Sequence, residues 1–185
     1  MSVEVQQNIA VGPGDAPAGR PTAAPVEIVE VPWDDAEAVA LRAEAVADLG
    51  RRYGGDEDAK EVIDPASIVV TLLARVDGVT AGCGSVRDVS GTDDGRGRGG
   101  THPAATGEVK RVYVLPEHRG LGVARRLMGE LERAARQVGF RRFVLETGTA
   151  QPEAMAMYDA LGYAPIESYG RYAAEDDQRC YGKDL

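Results

Sequence analysis

Histidine and cysteine are scarce, with two of each among 185 residues. Cys83, Cys180, His102 and His118 stand at no spacing that a zinc site uses, so no metal is expected. Two cysteines can close at most one disulfide, and free, buried thiols are the expectation instead. No apolar run approaches the ~20 residues of a bilayer-spanning helix. The opening stretch MSVEVQQNIAVG lacks the positive region and apolar core of a signal peptide. No membrane partner and a cytoplasmic location follow as expectations. Positive charge is also in deficit: 21 Lys and Arg against 30 Asp and Glu, a formal net charge of −9. Such a surface repels phosphate backbones, which argues against nucleic acid as a partner, and it attracts cationic acceptors. Solubility alone would also account for it.

The rest of the composition, 43% apolar and 28% charged, is that of a globular protein long enough for one domain with a sizeable core. Residues 1–25 are rich in Gly, Pro and Ala, cannot bury enough surface to offset ordering entropy, and are read as a flexible leader before a domain over 26–185. The domain opens on VEIVEV, which alternates like a strand. Asp34 and Asp35 suit a helix start, Val39, Ala43, Val46 and Tyr53 recur at helical spacing, and Gly54 and Gly55 close it. Strands follow at 68–76 and 79–86 around Asp77-Gly78, a two-residue hairpin signal. Residues 88–106, rich in Gly, Asp and Arg without periodicity, are read as a mobile loop. Its RGRGG is too short, in too acidic a chain, to indicate RNA binding.

Regular structure resumes in EVKRVYVL from Glu108, where Val109, Val112 and Val114 favour a strand that Pro116 stops. A helix is expected over 120–138, with Ala124, Leu127, Met128, Leu131, Ala135 and Val138 on its buried stripe. Arg125, Arg126, Glu130, Glu132, Arg133 and Arg136 fall on its outer face, with Glu132 and Arg136 paired at i,i+4. A strand at 143–146, a helix opened by Pro152 with Ala154, Tyr158 and Leu161 inward, and strands near 163–166 and 180–185 complete the chain. The order β-α-β-β-loop-β-α-β-α-β-β, with a strand–helix–strand unit in its second half, predicts an α/β fold on a mixed sheet.

Chemistry concentrates in residues 112–128, VYVLPEHRGLGVARRLM. A strand ends, Gly120 and Gly122 make a tight turn, and a helix begins at once. The first amides of a helix lack intrahelical partners and the dipole makes that end positive, so the turn is an anion site. The glycines let a diphosphate reach the backbone, and Arg119 adds a full charge. No Lys-Ser/Thr follows the second glycine, which excludes a Walker A loop. Arg125 stands where a dinucleotide fingerprint needs its third glycine.

The string Arg119-Gly120-Leu121-Gly122-Val123-Ala124 resembles the pyrophosphate motif of the GNAT superfamily of acetyl-CoA-dependent N-acetyltransferases, Arg/Gln-X-X-Gly-X-Gly/Ala, matching at Arg119, Gly122 and Ala124. MYDALGY, at 157–163, resembles that family's Tyr-X-X-X-Gly-Phe/Tyr segment, and CYGKDL its closing strand. The resemblance implies a six- to seven-stranded mixed sheet, flanked by helices and splayed between strands 4 and 5, with acetyl-CoA in the V. Its pantetheine arm would pair with Val112, Tyr113 and Val114, and its diphosphate would lie on the amides of Arg119, Gly120, Leu121, Gly122, Val123, Ala124 and Arg125. Gln151 stands nearest to the place where the family often carries an Asn.

The reaction so implied moves acetyl directly to an amine, in a small molecule, peptide or protein, with no covalent enzyme intermediate. An alkylamine of pKa ~10.4 arrives protonated and needs a base. Glu108 matches a position where many members carry Glu, with a solvated strand-end charge as the plain alternative, and Glu146 is a second candidate. Tyr158 matches the tyrosine that faces the thioester sulfur. A phenol of pKa ~10 can donate to a thiolate whose acid is near ~8.5, though its spacing equally permits a core aromatic. Glu57, Asp58 and Glu61 could attract a cationic amine such as a polyamine, aminoglycoside or lysine. The competing readings are an acyl-CoA sensor without turnover, an RNA-directed acetylating toxin, which would need a basic face, and a site for another phosphate ligand. A homodimer is left open.

Overall fold

The computed structural model describes residues 25–55 and 62–185. The leader expected over 1–25 lies outside them except for Pro25, as do Glu57, Asp58 and Glu61. The elements run β1 (Val26–Glu30), α1 (Ala36–Tyr53), β2 (Ile68–Val76), β3 (Val79–Asp88), β4 (Thr106–Val114), α2 (Val123–Gln137), β5 (Arg142–Gly148), α3 (Pro152–Ala160), β6 (Ala164–Ile166) and β7 (Gln178–Asp184). Local chemistry explains many of the boundaries. The Asp35 side chain accepts from the Glu37 and Ala38 amides to cap α1, and Gly54, at φ 72°, closes it. Asp77 and Gly78 both take positive φ, the conformation a two-residue hairpin requires.

The seven strands form one sheet in the order β1-β2-β3-β4-β5-β7-β6. Neighbours are antiparallel except β4 and β5, which pair in parallel from Thr106↔Arg142 to Val109↔Leu145 and no further. Beyond Val109 the two strands part. The pairing of β3 with β4 slips between Cys83↔Tyr113 and Ser85↔Lys110, where three steps on β4 face two on β3. The extra residue includes Arg111 at φ 56°, so β4 bulges and bends at the point where it leaves β5.

α2 and α3 cover one face, where Leu127, Met128, Leu131 and Ala135 pack on Phe143, Leu145, Tyr158, Tyr163 and Tyr181. On the other face α1 sets Ala38, Leu41 and Ala45 against Leu73, Cys83 and Tyr113. The stripe expected for α1 is therefore corrected. Val39 and Ala43 point to solvent, Tyr53 is 38% exposed, and the buried residues stand on the neighbouring rows because the sheet lies on that side. Two corrections apply to α2. It starts at Val123, because Gly120 and Gly122 hold left-handed φ that a right-handed helix cannot use. Val138, beyond its last turn, is exposed, whereas Glu132 of the expected outer face is buried. Glu132 accepts from Tyr163 Oη at 3.1 Å and from Lys183 Nζ at 2.8 and 2.9 Å, and the expected Arg136 pair is there at 3.4 Å. Cys83 and Cys180 are free and buried.

Residues 88–106 contain the end of β3, the start of β4 and a connection with bonds of its own. His102 N donates to Thr92 O, Gly91 N to His102 O and Asp94 N to Gly100 O, and Asp93 bridges Thr101.

Candidate active site

Where β4 and β5 part, a cleft of about 620 Å³ opens. Val109 to Tyr113 of β4 and Glu146, Thr147 and Gly148 of β5 form its two strand walls. The end of α1 (Asp48, Leu49, Tyr53), Gln151 and Tyr158 of the α3 side, and Arg171, Tyr172, Glu175, Asp177 and Gln178 from the approach to β7 enclose the rest. The β4 edge here is exposed to the cleft because β3 occupies only its other side.

The glycine turn stands at the carboxyl end of β4. No side chain caps α2, and a Cβ at Gly120 or Gly122 would meet nothing within 4 Å. Open space therefore lies over the uncapped amides, the condition an anion needs. Val123 is buried, Ala124 half-buried, and Leu121 and Arg125 are exposed. Arg119 folds back: its Nε donates to Val114 O at 3.0 Å, its Nη2 to Asp48 at 3.3 Å, and its guanidinium lies 5.6 Å from the Tyr113 ring centroid. Asp48 also receives Arg51 and Arg52, each at 3.1 Å. Burial works to raise the Asp48 pKa, but the three arginines outweigh it and hold the carboxyl below its ordinary range. Arg52 continues across the cleft mouth to Ala150 O at 3.0 Å and Glu153 at 2.6 Å, tying α1 to the start of α3.

Tyr158 borders the cleft with its ring between Tyr163 and Tyr181, at centroid distances of 5.8 and 5.9 Å. Burial pushes its phenol up to about 12, so it stays neutral and able to donate. Gln151, at the start of α3, accepts from Thr147 Oγ1 at 3.2 Å. Glu108 is completely buried, not a solvated strand end. It accepts from Arg87 Nε and, at 3.0 Å, from Tyr169 Oη. Lys110 Nζ lies 3.6 Å from Glu108 and 3.1 Å from Glu146, joining the two carboxylates. Of the two, Glu146 borders the cleft and Glu108 stands behind the lysine.

The cleft thus brings together Val112, Tyr113, Gln151, Tyr158 and Glu146, while the glycine turn lies beyond its lining residues. Sequence reasoning missed Lys110 and Gln178. Gln178 Nε2 donates to Glu146 at 2.7 Å and to Tyr169 O at 3.1 Å. Both of those partners are acceptors, so the amide cannot be turned round, and Oε1 has no donor among the described residues. One signal was available: Glu108 and Lys110 alternate with Val109 in a central strand, where an uncompensated charge would be costly. No group of residues suited to a metal occurs among the described residues, nor a helix long and apolar enough to cross a membrane.

Comparison with known proteins agrees with this architecture. The sequence profile of the acetyltransferase (GNAT) family matches residues 28–163. The IAA acetyltransferase of Azospirillum brasilense is 35% identical over 105 residues, 56% of this chain and 60% of that protein. The chain thus spans less than two thirds of the length of that curated relative. A candidate acyl-CoA N-acyltransferase from Klebsiella pneumoniae, 28% identical, superposes with a TM-score of 0.67 over 86% of this chain and 97% of its own. A candidate acetyltransferase from Salmonella typhimurium, solved with its cofactor acetyl-CoA, shares the fold at 18% identity and a TM-score of 0.53, over 86% and 94% of the two chains.

Proposed function

Because the chain belongs to the acetyltransferase (GNAT) family, we propose that it is an acetyl-CoA-dependent N-acetyltransferase acting on a primary amine. The observation that carries the proposal is the joining of two features. An uncapped, unobstructed glycine turn stands at the end of β4, and a cleft edged by free β4 backbone begins beside it. The amides from Arg119 to Arg125 would receive the diphosphate, with Arg119 exchanging Asp48 for it. The open edge at Val112, Tyr113 and Val114 would pair with the pantetheine arm, and Gln151 would hydrogen-bond to it. When bound, acetyl-CoA supplies an activated acetyl thioester.

The chain's own groups would do the rest. The linked carboxylates provide the base: Glu146 at the cleft takes the ammonium proton, and Glu108, through Lys110, holds the pair in register. Tyr158 faces the departing sulfur. With its pKa near 12, full proton transfer to a thiolate of ~8.5 would be uphill by roughly 5 kcal/mol. Tyr158 therefore acts as a hydrogen-bond donor to the charge developing on sulfur, not as a matched acid.

The experiment pairs melting with turnover. At ~100-fold over its dissociation constant, acetyl-CoA should add about 2.7 kcal/mol of stability, a rise of several degrees, and an amine panel should release CoA. Gly122→Asp should weaken acetyl-CoA binding at least about tenfold, or about 1.4 kcal/mol, relative to Gly122→Asn. Asn tolerates the same left-handed backbone without bringing a charge. The absence of any melting shift would end this reading. A shift without CoA release across the panel would favour an acyl-CoA sensor.

A further inference from the structure

A Gly-rich connection as long as residues 89–105 is costly to order and brings little apolar surface with which to recover that cost. Yet it is tied down at one particular place, the 167–170 backbone leading to the cleft wall. Arg96 Nε donates to Ser168 O and its Nη2 to Glu167 O, both at 3.0 Å, while Nη1 is oriented by Asp94 at 3.2 Å. Arg98 reaches Glu167 at 2.6 Å, and Gly170 N donates to Asp94 O at 2.9 Å. The backbones nearly touch: a Cβ at Gly95 would lie 2.8 Å from the Cα, N and O of Gly170. Behind them His102 meets the buried Tyr169 ring edge-on at 5.0 Å.

The clamped segment is in turn the support of the acceptor end. A Cβ at Gly170 would lie 2.5 Å from Glu146 Oε1, so the carboxylate rests on that backbone. Tyr169 O holds Gln178 Nε2, which holds Glu146, and Tyr169 Oη holds Glu108. The orientation of the Gln178 amide, and hence the acceptor atom it leaves over, depends on where Tyr169 O stands.

We propose that the 89–105 connection is a positioning element for the acceptor end of the cleft, in which Arg96 locks the 167–170 backbone and so sets the Glu146–Gln178 pair to receive the N–H groups of a primary amine. This rests on the N-acetyltransferase reading. Arg96 does not border the cleft; it is a positioning residue. Its planar fork is needed because it binds two carbonyls and a carboxylate at once, which one ammonium would do less well.

Two variants of the full chain test it. Arg96→Ala removes the fork, and Gly95→Ala pushes the connection off Gly170. In both, amide-exchange protection over 167–178 should fall at least about tenfold while β2 and β3 stay within about twofold. The Gln178 side-chain amide protons should lose the shifted, slowly exchanging NMR resonances of a group bonded to a carboxylate. In turnover, the KM for the amine should rise at least about tenfold with that for acetyl-CoA unchanged. Wild-type behaviour of the Gln178 resonances and of 167–178 in Arg96→Ala would overturn the proposal. So would a uniform loss of protection across the sheet in both variants, which would make the connection a stability element only. The exchange and NMR readings need no ligand, and the acetyl-CoA melting shift of the same variants reports separately on the family reading.

Discussion

At Tyr158 the phenol is enclosed by Tyr163 and Tyr181 on the α3 side of the cleft, and burial alone carries its pKa to about 12. The same ring therefore serves the core and the site, and the two roles separate by substitution. Tyr158→Phe keeps the ring, so loss of the hydroxyl should cost no more than about 1 kcal/mol of stability. Turnover should drop roughly 10²-fold, with acetyl-CoA affinity nearly unchanged, because the lost hydrogen bond belongs to the transition state. Turnover and melting measured on one preparation decide it: full activity would leave the departing sulfur to solvent. Gln178 shows a different residue-scale effect. Nothing in its chemistry marks it among the chain's polar side chains, and only the two acceptors beside its amide nitrogen give its oxygen a direction.

Among the elements, α2 carries both the proposed diphosphate site and the main contact with the sheet. Its buried face includes Glu132, whose carboxylate joins α2 to Tyr163 and to Lys183 of β7. Burial, and Glu132 next, push the Tyr163 phenol well above its ordinary range. Glu132→Ala would leave Lys183 and Tyr163 without their acceptor. Because removing one member of a buried pair strands the other, about 3 kcal/mol should be lost. Glu130→Ala, on the outer face with Arg126 and Arg133, should stay within about 0.5 kcal/mol. Melting of the two variants side by side checks this, and equal shifts would mean that the Glu132 network contributes nothing special. The bulge in β4 is the other element-scale feature. It turns Val112 and Val114 towards the same core as Val109, across what would otherwise be a break in alternation.

At the scale of the molecule, burial holds many acids in their neutral form. Tyr113, Tyr158, Tyr163, Tyr169 and Tyr181 all lie above the ordinary tyrosine value, and burial pushes Cys83 to about 12 and Cys180 to about 11. A folded pKa above the unfolded one means that the native state binds more protons in the interval between them. The stability these groups contribute is whole below the unfolded values, about 10 for Tyr and about 8.5 for Cys, and is lost as pH rises through the folded ones. Alkaline unfolding should therefore coincide with the phenolate absorbance of the buried tyrosines, well above pH ~10, and with the onset of thiol reactivity. Circular dichroism and ultraviolet absorbance in a single titration check it. Complete phenolate absorbance with an intact dichroism spectrum would refute it.

By itself the sequence determined what short-range chemistry decides: the order of ten elements, the Asp35 and Gly54 caps, the Asp77-Gly78 turn and the glycine turn before α2. Each follows from the φ, ψ and hydrogen-bonding preferences of a few adjacent residues. The family resemblance rested on the last of these, so the cofactor end of the site was legible. The acceptor end was not. Parallel β4–β5 pairing that stops at Val109, the burial of Glu108 and Glu132, the face that α1 turns inward and the hold of Arg96 on 167–170 each join residues distant in the chain. Periodicity tells which residues of an element share a side, not what that side will meet. A carboxylate on a strand or helix reads as solvated until a lysine, tyrosine or arginine from elsewhere is packed against it, and only the tertiary structure supplies those partners.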